Sequence, residues 1–202
     1  MARPAQRGRL ILASASPRRH RILREAGLDF EVEVSGADEV APAGIEPEDV
    51  ARELARRKAR AVAGRHAGER AWVLGADTVV ALGRRLLGKP RGARAARRML
   101  ELLSGSRHLV ATGVCLVDCA SGSEECACER TWVSMRALCP REVEAYVAGG
   151  EWRDKAGGYA IQESAEAFVT ALEGGGVDNV VGLPLALARA LLERAGALEP
   201  ER

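Results

Sequence analysis

Asp77 stands inside the apolar run VLGADTVV, where a carboxylate without a partner is expensive to bury. An aspartate there is either hydrogen-bonded for structure or placed to bind a cation or activate water. Cationic residues cluster at neighbouring element ends. The stretch LILASASPRRHRIL interrupts an apolar run with Ser14 and Ser16, then follows Pro17 with Arg18 and Arg19. Ser16 suits a helix cap and Pro17 a first helical turn. Free backbone N–H groups would then meet hydroxyls and planar guanidinium forks, a combination suited to phosphate. The same pattern can also simply end a strand. Lys89, in LLGKP, closes a turn and in isolation reads as a solvated lysine. Lys58 lies four residues after Leu54 and four before Val62, at the edge of an apolar helical stripe. On spacing alone its stem covers apolar surface while the amine reaches water. Asp38 and Glu39 add carboxylates that could share a divalent ion with Asp77. Cations, acids and a helix N-terminus gathered at strand ends are what metal-assisted attack on a polyphosphate requires.

The elements that must position these residues follow from periodicity. Residues 10–13 form a short buried strand. A helix opens at Pro17, turns Ile22, Leu23 and Ala26 inward, and stops at Gly27. Leu28, Phe30, Val32 and Val34 alternate with Asp29, Glu31 and Glu33, predicting a half-buried strand. A helix over residues 47–63 buries Val50, Leu54, Ala55, Ala61 and Val62 and leaves Arg52, Arg56 and Arg60 outward. Residues 72–74 and 78–82 read as strand interrupted at Gly75-Ala76-Asp77, with a hairpin return through Leu86 and Leu87. A helix over 93–103 turns Ala96, Met99, Leu100 and Leu103 inward. Residues 110–117 and 125–138 form a long hairpin about Ser121-Gly122. A short helix over 141–147 precedes a glycine-rich loop over 149–158. Short strands are expected at 167–172 and 177–181, and Pro184 opens a last amphipathic helix. Interleaved helices and hairpins imply a mixed sheet.

Bulk properties narrow the class. A chain of 202 residues with 47% hydrophobic content supports a substantial core. With 3% aromatics, that core must be mostly Ala, Val and Leu. Thirty Lys and Arg against 28 Asp and Glu give a net charge of +2. That balance argues against a nucleic-acid binder, despite the arginines at 52–60 and 91–98. No apolar run approaches the ~20 residues that span a bilayer, so neither nucleic acid nor membrane is expected as a partner. The five cysteines are an odd number without a secretion signal, which favours reduced thiols in the cytoplasm. Cys126-Ala-Cys128 lacks zinc-knuckle spacing. The chain reads as a basic tail over 1–9, one catalytic domain over 10–195 and a tail over 196–202.

The stretches ILASASPRR, VLGADTVV, LLGKP, DKAGGYAIQ and NVVGLPL, in that order, closely resemble the motifs of the Maf family of nucleoside triphosphate pyrophosphatases. The resemblance runs from about residue 10 to 192. It implies an elongated α/β fold with a mixed sheet flanked by helices and a cleft between two lobes, related to the inosine triphosphate pyrophosphatases. It also implies hydrolysis between the α- and β-phosphates with a divalent cation (magnesium, manganese or cobalt), and it admits a homodimer. By this resemblance Asp77 is the proton acceptor and, with Glu39, holds the metal. Ser14, Ser16, Arg18, Arg19, Lys58 and Lys89 bind the triphosphate. Arg18, Thr78 and Gln162 match the specificity positions of the branch acting on dTTP and UTP, rather than the branch acting on 7-methyl-GTP. Gly158, Ala160 and Glu163 depart from the family's DKAGAYGIQG, and the Glu163 charge beside Gln162 could reshape a base pocket. Two other readings remain: a pyrophosphatase for 7-methyl-GTP or another non-standard nucleotide, and a non-catalytic regulator of septum formation. A regulator would be expected to lack Asp77 or Lys89, and both are present.

Overall fold

The computed structural model describes residues 5–42 and 44–199. Seven strands form one mixed sheet in the order β2-β1-β3-β5-β6-β7, with β4 folded onto β3. β1 (Arg9–Leu12) lies parallel to β2 (Glu31–Val32) and to β3 (Ala71–Leu82). β5 (Arg107–Asp118), β6 (Glu124–Met135) and β7 (Val169–Glu173) continue the sheet antiparallel. The mixed sheet flanked by helices is the expected fold class.

α2 (Pro47–Ala63) covers one face, packing Val50, Ala51, Leu54, Ala55, Ala59 and Val62 on alternate residues of β3 such as Val73, Val79 and Ala81. Two glycines set its distance. A Cβ at Gly75 would stand 2.4 Å from the Ala55 carbonyl oxygen, and one at Gly113 would stand 2.2 Å from that of Ala51. The alanine seam of α2 therefore rests directly on the backbones of β3 and β5. The opposite face of the sheet carries α1 (Pro17–Glu25), α3 (Ala93–Leu103), α4 (Pro140–Gly149), α5 (Val177–Val181) and α6 (Leu185–Arg194). Leu12, Leu74 and Val114 pack there with Leu23, Leu191 and Leu192, and Val80 and Val110 pack with Leu100 and Tyr159.

β3 positions the site. On one edge it pairs along its length with β5. On the other, β1 pairs with it as far as Leu74, and β4 (Arg85–Leu87) takes over at Val80. Residues 75–79 thus have no strand on that edge among the described residues. The expected interruption at Gly75-Ala76-Asp77 is corrected: the strand is continuous, and it is the partner strand that breaks off.

Three further expectations are corrected. The strand through Leu28, Phe30, Val32 and Val34 shrinks to the two residues of β2, and Val32 and Val34 are 43% and 59% exposed. At a sheet edge, without a covering element, alternation has no face to bury. Residues 177–181 form a helix, because Asp178 accepts hydrogen bonds from the N–H of Asn179 (3.0 Å) and of Leu185 (2.7 Å) and closes a turn. Cys115 and Cys126 are opposed in the β5–β6 register and disulfide-bonded, so the expectation of five reduced thiols fails for this pair; Cys119, Cys128 and Cys139 are free. Within the expected tails, Arg7 N–H donates to the Ala197 carbonyl and Glu199 N–H to that of Ala5, both at 3.0 Å; the remainder of the two tails, 1–4 and 200–202, lies outside the described residues. Among the described residues no helix is long and apolar enough to cross a membrane.

Candidate active site

The unpaired stretch of β3 floors a cleft of about 940 Å³. Successive residues point to opposite faces of a strand. Asp77 therefore turns toward α2 while Thr78 turns toward α1 and α5, and the cleft wraps round the strand edge between them. The ten residues that the family resemblance assigned to the site all line it: Ser14, Ser16, Arg18 and Arg19 from the β1–α1 loop and α1, Glu39 from the loop before α2, Lys58 from α2, Asp77 and Thr78 from β3, Lys89 after β4, and Gln162 from the loop after α4.

On the α2 side these residues form a chain of alternating charge. The Lys58 ammonium contacts the Asp77 carboxylate and lies 2.7 Å from Glu39 Oε1, while Lys89 lies 3.4 Å from Glu39 Oε2. Lys58 and Asp77 side chains are only 10% and 13% exposed. The snorkelling reading of Lys58 is thereby corrected. α2 sits so close over Gly75 that the lysine stem crosses to the cleft and its amine meets Asp77 instead of bulk water. The Lys58 hydrogen bond holds Glu39 below the usual carboxylate range, with partial burial opposing. Asp38 does not join: its Oδ1 accepts the Val40 N–H at 2.9 Å and closes a local turn.

The donor set suits a hard divalent cation. Glu39 and Asp77 supply two carboxylates at one ammonium-sized point, and among the described residues no third His, Cys, Asp or Glu completes a cluster. Magnesium is commonly held by one or two carboxylates, with water and substrate phosphate filling the rest.

On the α1 side, Ser14 Oγ accepts from the N–H of Ser16 and from Arg19 Nη1, both at 3.2 Å. His20 Nε2–H donates to the Ser14 carbonyl at 2.8 Å and ties the loop to α1. Ser16 occupies the cap position, although its side chain makes no capping bond, and Pro17 follows it. The amides of Arg18 and Arg19 at this helix start have no intrahelical acceptor. The Arg19 guanidinium is buried and also donates to the Gly182 carbonyl (2.7 Å) and Thr78 Oγ1 (3.2 Å). Burial lowers its pKa and the nearby Asp77 opposes that. A guanidinium stays protonated throughout the working range and has further N–H donors to offer. Arg18 is half-buried on the cleft wall.

Gln162 lies exposed on a braced loop. The Glu151 carboxylate accepts from Ser164 N–H (3.1 Å) and Oγ–H (2.7 Å), and Tyr146 Oη accepts from Ala160 N–H (2.9 Å). Lys155 donates to the Glu151 carbonyl and stands 3.5 Å from Glu163 Oε1. The negative charge that Glu163 introduces beside Gln162 thus has a cation facing it. Lys155 lay within DKAGGYAIQ, yet nothing in its spacing distinguished it. Thr112 and Asn179, buried behind Thr78, also escaped the sequence reading. Asn179 had a signal in NVVGLPL, whereas Thr112 is one polar residue in an apolar strand.

The family profile described as Maf-like protein matches residues 9–195. The chain is 50% identical over 193 residues to the dTTP/UTP pyrophosphatase of Myxococcus xanthus, covering 96% of this chain and 95% of that one. It is 46% identical over 187 residues to the dTTP/UTP pyrophosphatase of Pelotomaculum thermopropionicum, covering 93% and 96%. A protein of the same description from Rhodospirillum rubrum is 49% identical over 193 residues, covering 94% and 89%.

Proposed function

The chain belongs to the Maf family, and from that membership we propose that it hydrolyses dTTP and UTP to the nucleoside monophosphate and pyrophosphate. The observation that carries this reading is the Asp77 carboxylate, set on the unpaired stretch of β3 against Lys58 and sharing one cleft with the buried Arg19 fork. Ser14, Ser16, Arg18, Arg19 and the first amides of α1 receive the triphosphate, and Lys58 and Lys89 neutralise its other side. Asp77 takes the proton from a water as its oxygen bonds to the α-phosphorus. The bond from that phosphorus to the bridging oxygen breaks, and pyrophosphate leaves with the electron pair. Glu39 and Asp77 would hold the divalent cation, magnesium, manganese or cobalt, which supplies charge neutralisation at the phosphoryl oxygens when bound. Gln162 offers an acceptor and donors to the mixed edge of uracil or thymine.

Hydrolysis in oxygen-18 water tests the reaction. Label should enter the monophosphate and not pyrophosphate, dTTP and UTP should lead a nucleotide panel, and Asp77→Asn should abolish turnover while the protein stays folded. Label in pyrophosphate, or wild-type turnover by folded Asp77→Asn, would overturn the assignment.

A further inference from the structure

Behind Arg19 runs a buried chain of hydrogen bonds that the catalytic reading does not use. Arg19 Nη2 donates to Thr78 Oγ1 at 3.2 Å, Thr78 Oγ1 lies 2.9 Å from Thr112 Oγ1, and Thr112 Oγ1–H donates to the Asn179 carbonyl at 2.8 Å. A threonine hydroxyl has a single hydrogen. That of Thr112 goes to Asn179, so the hydrogen between the two hydroxyls must come from Thr78. Thr78 then turns only lone pairs toward Arg19. Every donor in the chain points the same way, from guanidinium to carbonyl, and such chains reinforce one another.

The far end is anchored with equal care. Asn179 Nδ2 donates to the Val110 carbonyl (3.2 Å) on β5 and to Thr131 Oγ1 (2.8 Å) on β6, which fixes the residue whose carbonyl ends the chain. α5 then exits through Gly182, at φ 123°, whose carbonyl takes Arg19 Nε. A Cβ there would lie 3.2 Å from Thr78 Oγ1 and 3.5 Å from Arg19 Nε. The turn over 177–182 thus holds Arg19 twice, directly through Gly182 and indirectly through Asn179, Thr112 and Thr78.

We propose that Thr112 and Asn179 are positioning residues for triphosphate hydrolysis, fixing through Thr78 the plane in which Arg19 presents its remaining N–H groups to phosphate. The proposal rests on the reading of Arg19 as a phosphate ligand. It also gives the specificity position Thr78 a defined route of action, because its hydroxyl hydrogen is committed to Thr112 and its effect reaches substrate through Arg19.

A double-mutant cycle between Thr112→Val and Arg19→Lys tests it. Valine keeps the shape and loses the hydroxyl; lysine keeps the charge and loses the fork. Thr112→Val should lower kcat/KM for UTP about three- to tenfold, the effect of one misdirected hydrogen bond. Thr112→Ser should restore it even if its Tm falls. In the Arg19→Lys background, Thr112→Val should cause no further loss, since there is no fork left to orient. Should the valine variant fail to fold, Thr112→Ser and Thr112→Ala, which differ by one oxygen, replace it in the same comparison. Multiplicative losses in the double variant, or a serine variant as slow as valine or alanine, would overturn the relay. Wild-type kinetics for Arg19→Lys alone would overturn the phosphate role of Arg19 itself, and the relay with it.

Discussion

Lys58 and Lys89 touch the same carboxylate, Glu39, yet their surroundings predict different consequences of losing each. Lys89 is 57% exposed, and its 3.4 Å contact with Glu39 is the kind of surface pair worth about 0–1 kcal/mol. Lys58 is almost enclosed and, among the described residues, is the only cation in ion-pair contact with Asp77. Removing one member of a buried pair leaves the other charged and unpaired, typically at a cost of about 3 kcal/mol or more. Lys89→Ala should therefore slow UTP hydrolysis with an unchanged Tm, whereas Lys58→Met should lose activity and lower Tm together. Adding Asp77→Asn to Lys58→Met should recover much of the lost Tm and none of the turnover. Thermal unfolding and initial rates on the four proteins check this. A Tm unaffected by Lys58→Met would mean that Asp77 finds another partner. The residue types of this pair were legible in the sequence, but their pairing was not. Periodicity placed Lys58 on the rim of an apolar stripe, and only the depth to which α2 settles on the sheet decides whether its amine reaches water or Asp77.

That depth is set at the level of elements, by glycine and alanine. At Gly75 an added methyl would also lie 2.7 Å from the backbone nitrogen of Ala59, so α2 itself, and no flexible side chain, would have to move. Overpacking of this kind costs about 1–3 kcal/mol, which for a chain of this size lowers Tm by roughly 2–4 °C per kcal/mol. Gly75→Ala should show that loss and a lower kcat as well, because lifting α2 draws Lys58 from Asp77. Gly64→Ala, at the helical φ of −60° after α2, should leave both values unchanged or raise Tm slightly. Equal Tm values for the two variants would refute the close-approach argument. α2 and α3 matched their expected bounds, 47–63 and 93–103, since a sustained apolar stripe bounded by Pro47 and Gly64 or by a glycine turn is a local signal. The failures at β2 and at 177–181 share a cause. A few alternating or β-branched valines carry a strand pattern, but whether a neighbouring element covers them is decided at long range. Thr112 was illegible for the same reason, since its partners Thr78 and Asn179 lie 34 and 67 positions away.

Across the whole molecule, two histidines on opposite sides of the sheet make stability depend on pH in opposite senses. His66, just beyond α2, bonds Glu33 after β2 (2.8 Å) and Glu69 before β3 (3.2 Å), and Arg9 of β1 joins Glu69 to Glu31 of β2. This perimeter network ties down the short β2 edge. The Glu33 hydrogen bond, foremost, raises the His66 pKa above its ordinary 6.5. A raised folded value means that this stabilisation is complete below about pH 6.5 and is lost as pH rises through the folded pKa. His108 is buried against Tyr159, with Nε2 2.8 Å from its hydroxyl, and burial lowers its pKa to about 4. Here the unfolded chain binds the proton first, so stability falls as pH drops from about 6.5 toward 4. The two together predict a maximum near the ordinary histidine pKa. His66→Gln keeps a polar side chain that does not titrate, and should flatten the alkaline decline while leaving the acid side unchanged. Urea midpoints measured from about pH 5 to 9, the span over which histidine charge changes, read this directly. An alkaline slope that survives in His66→Gln would mean that the perimeter network does not depend on the imidazolium charge.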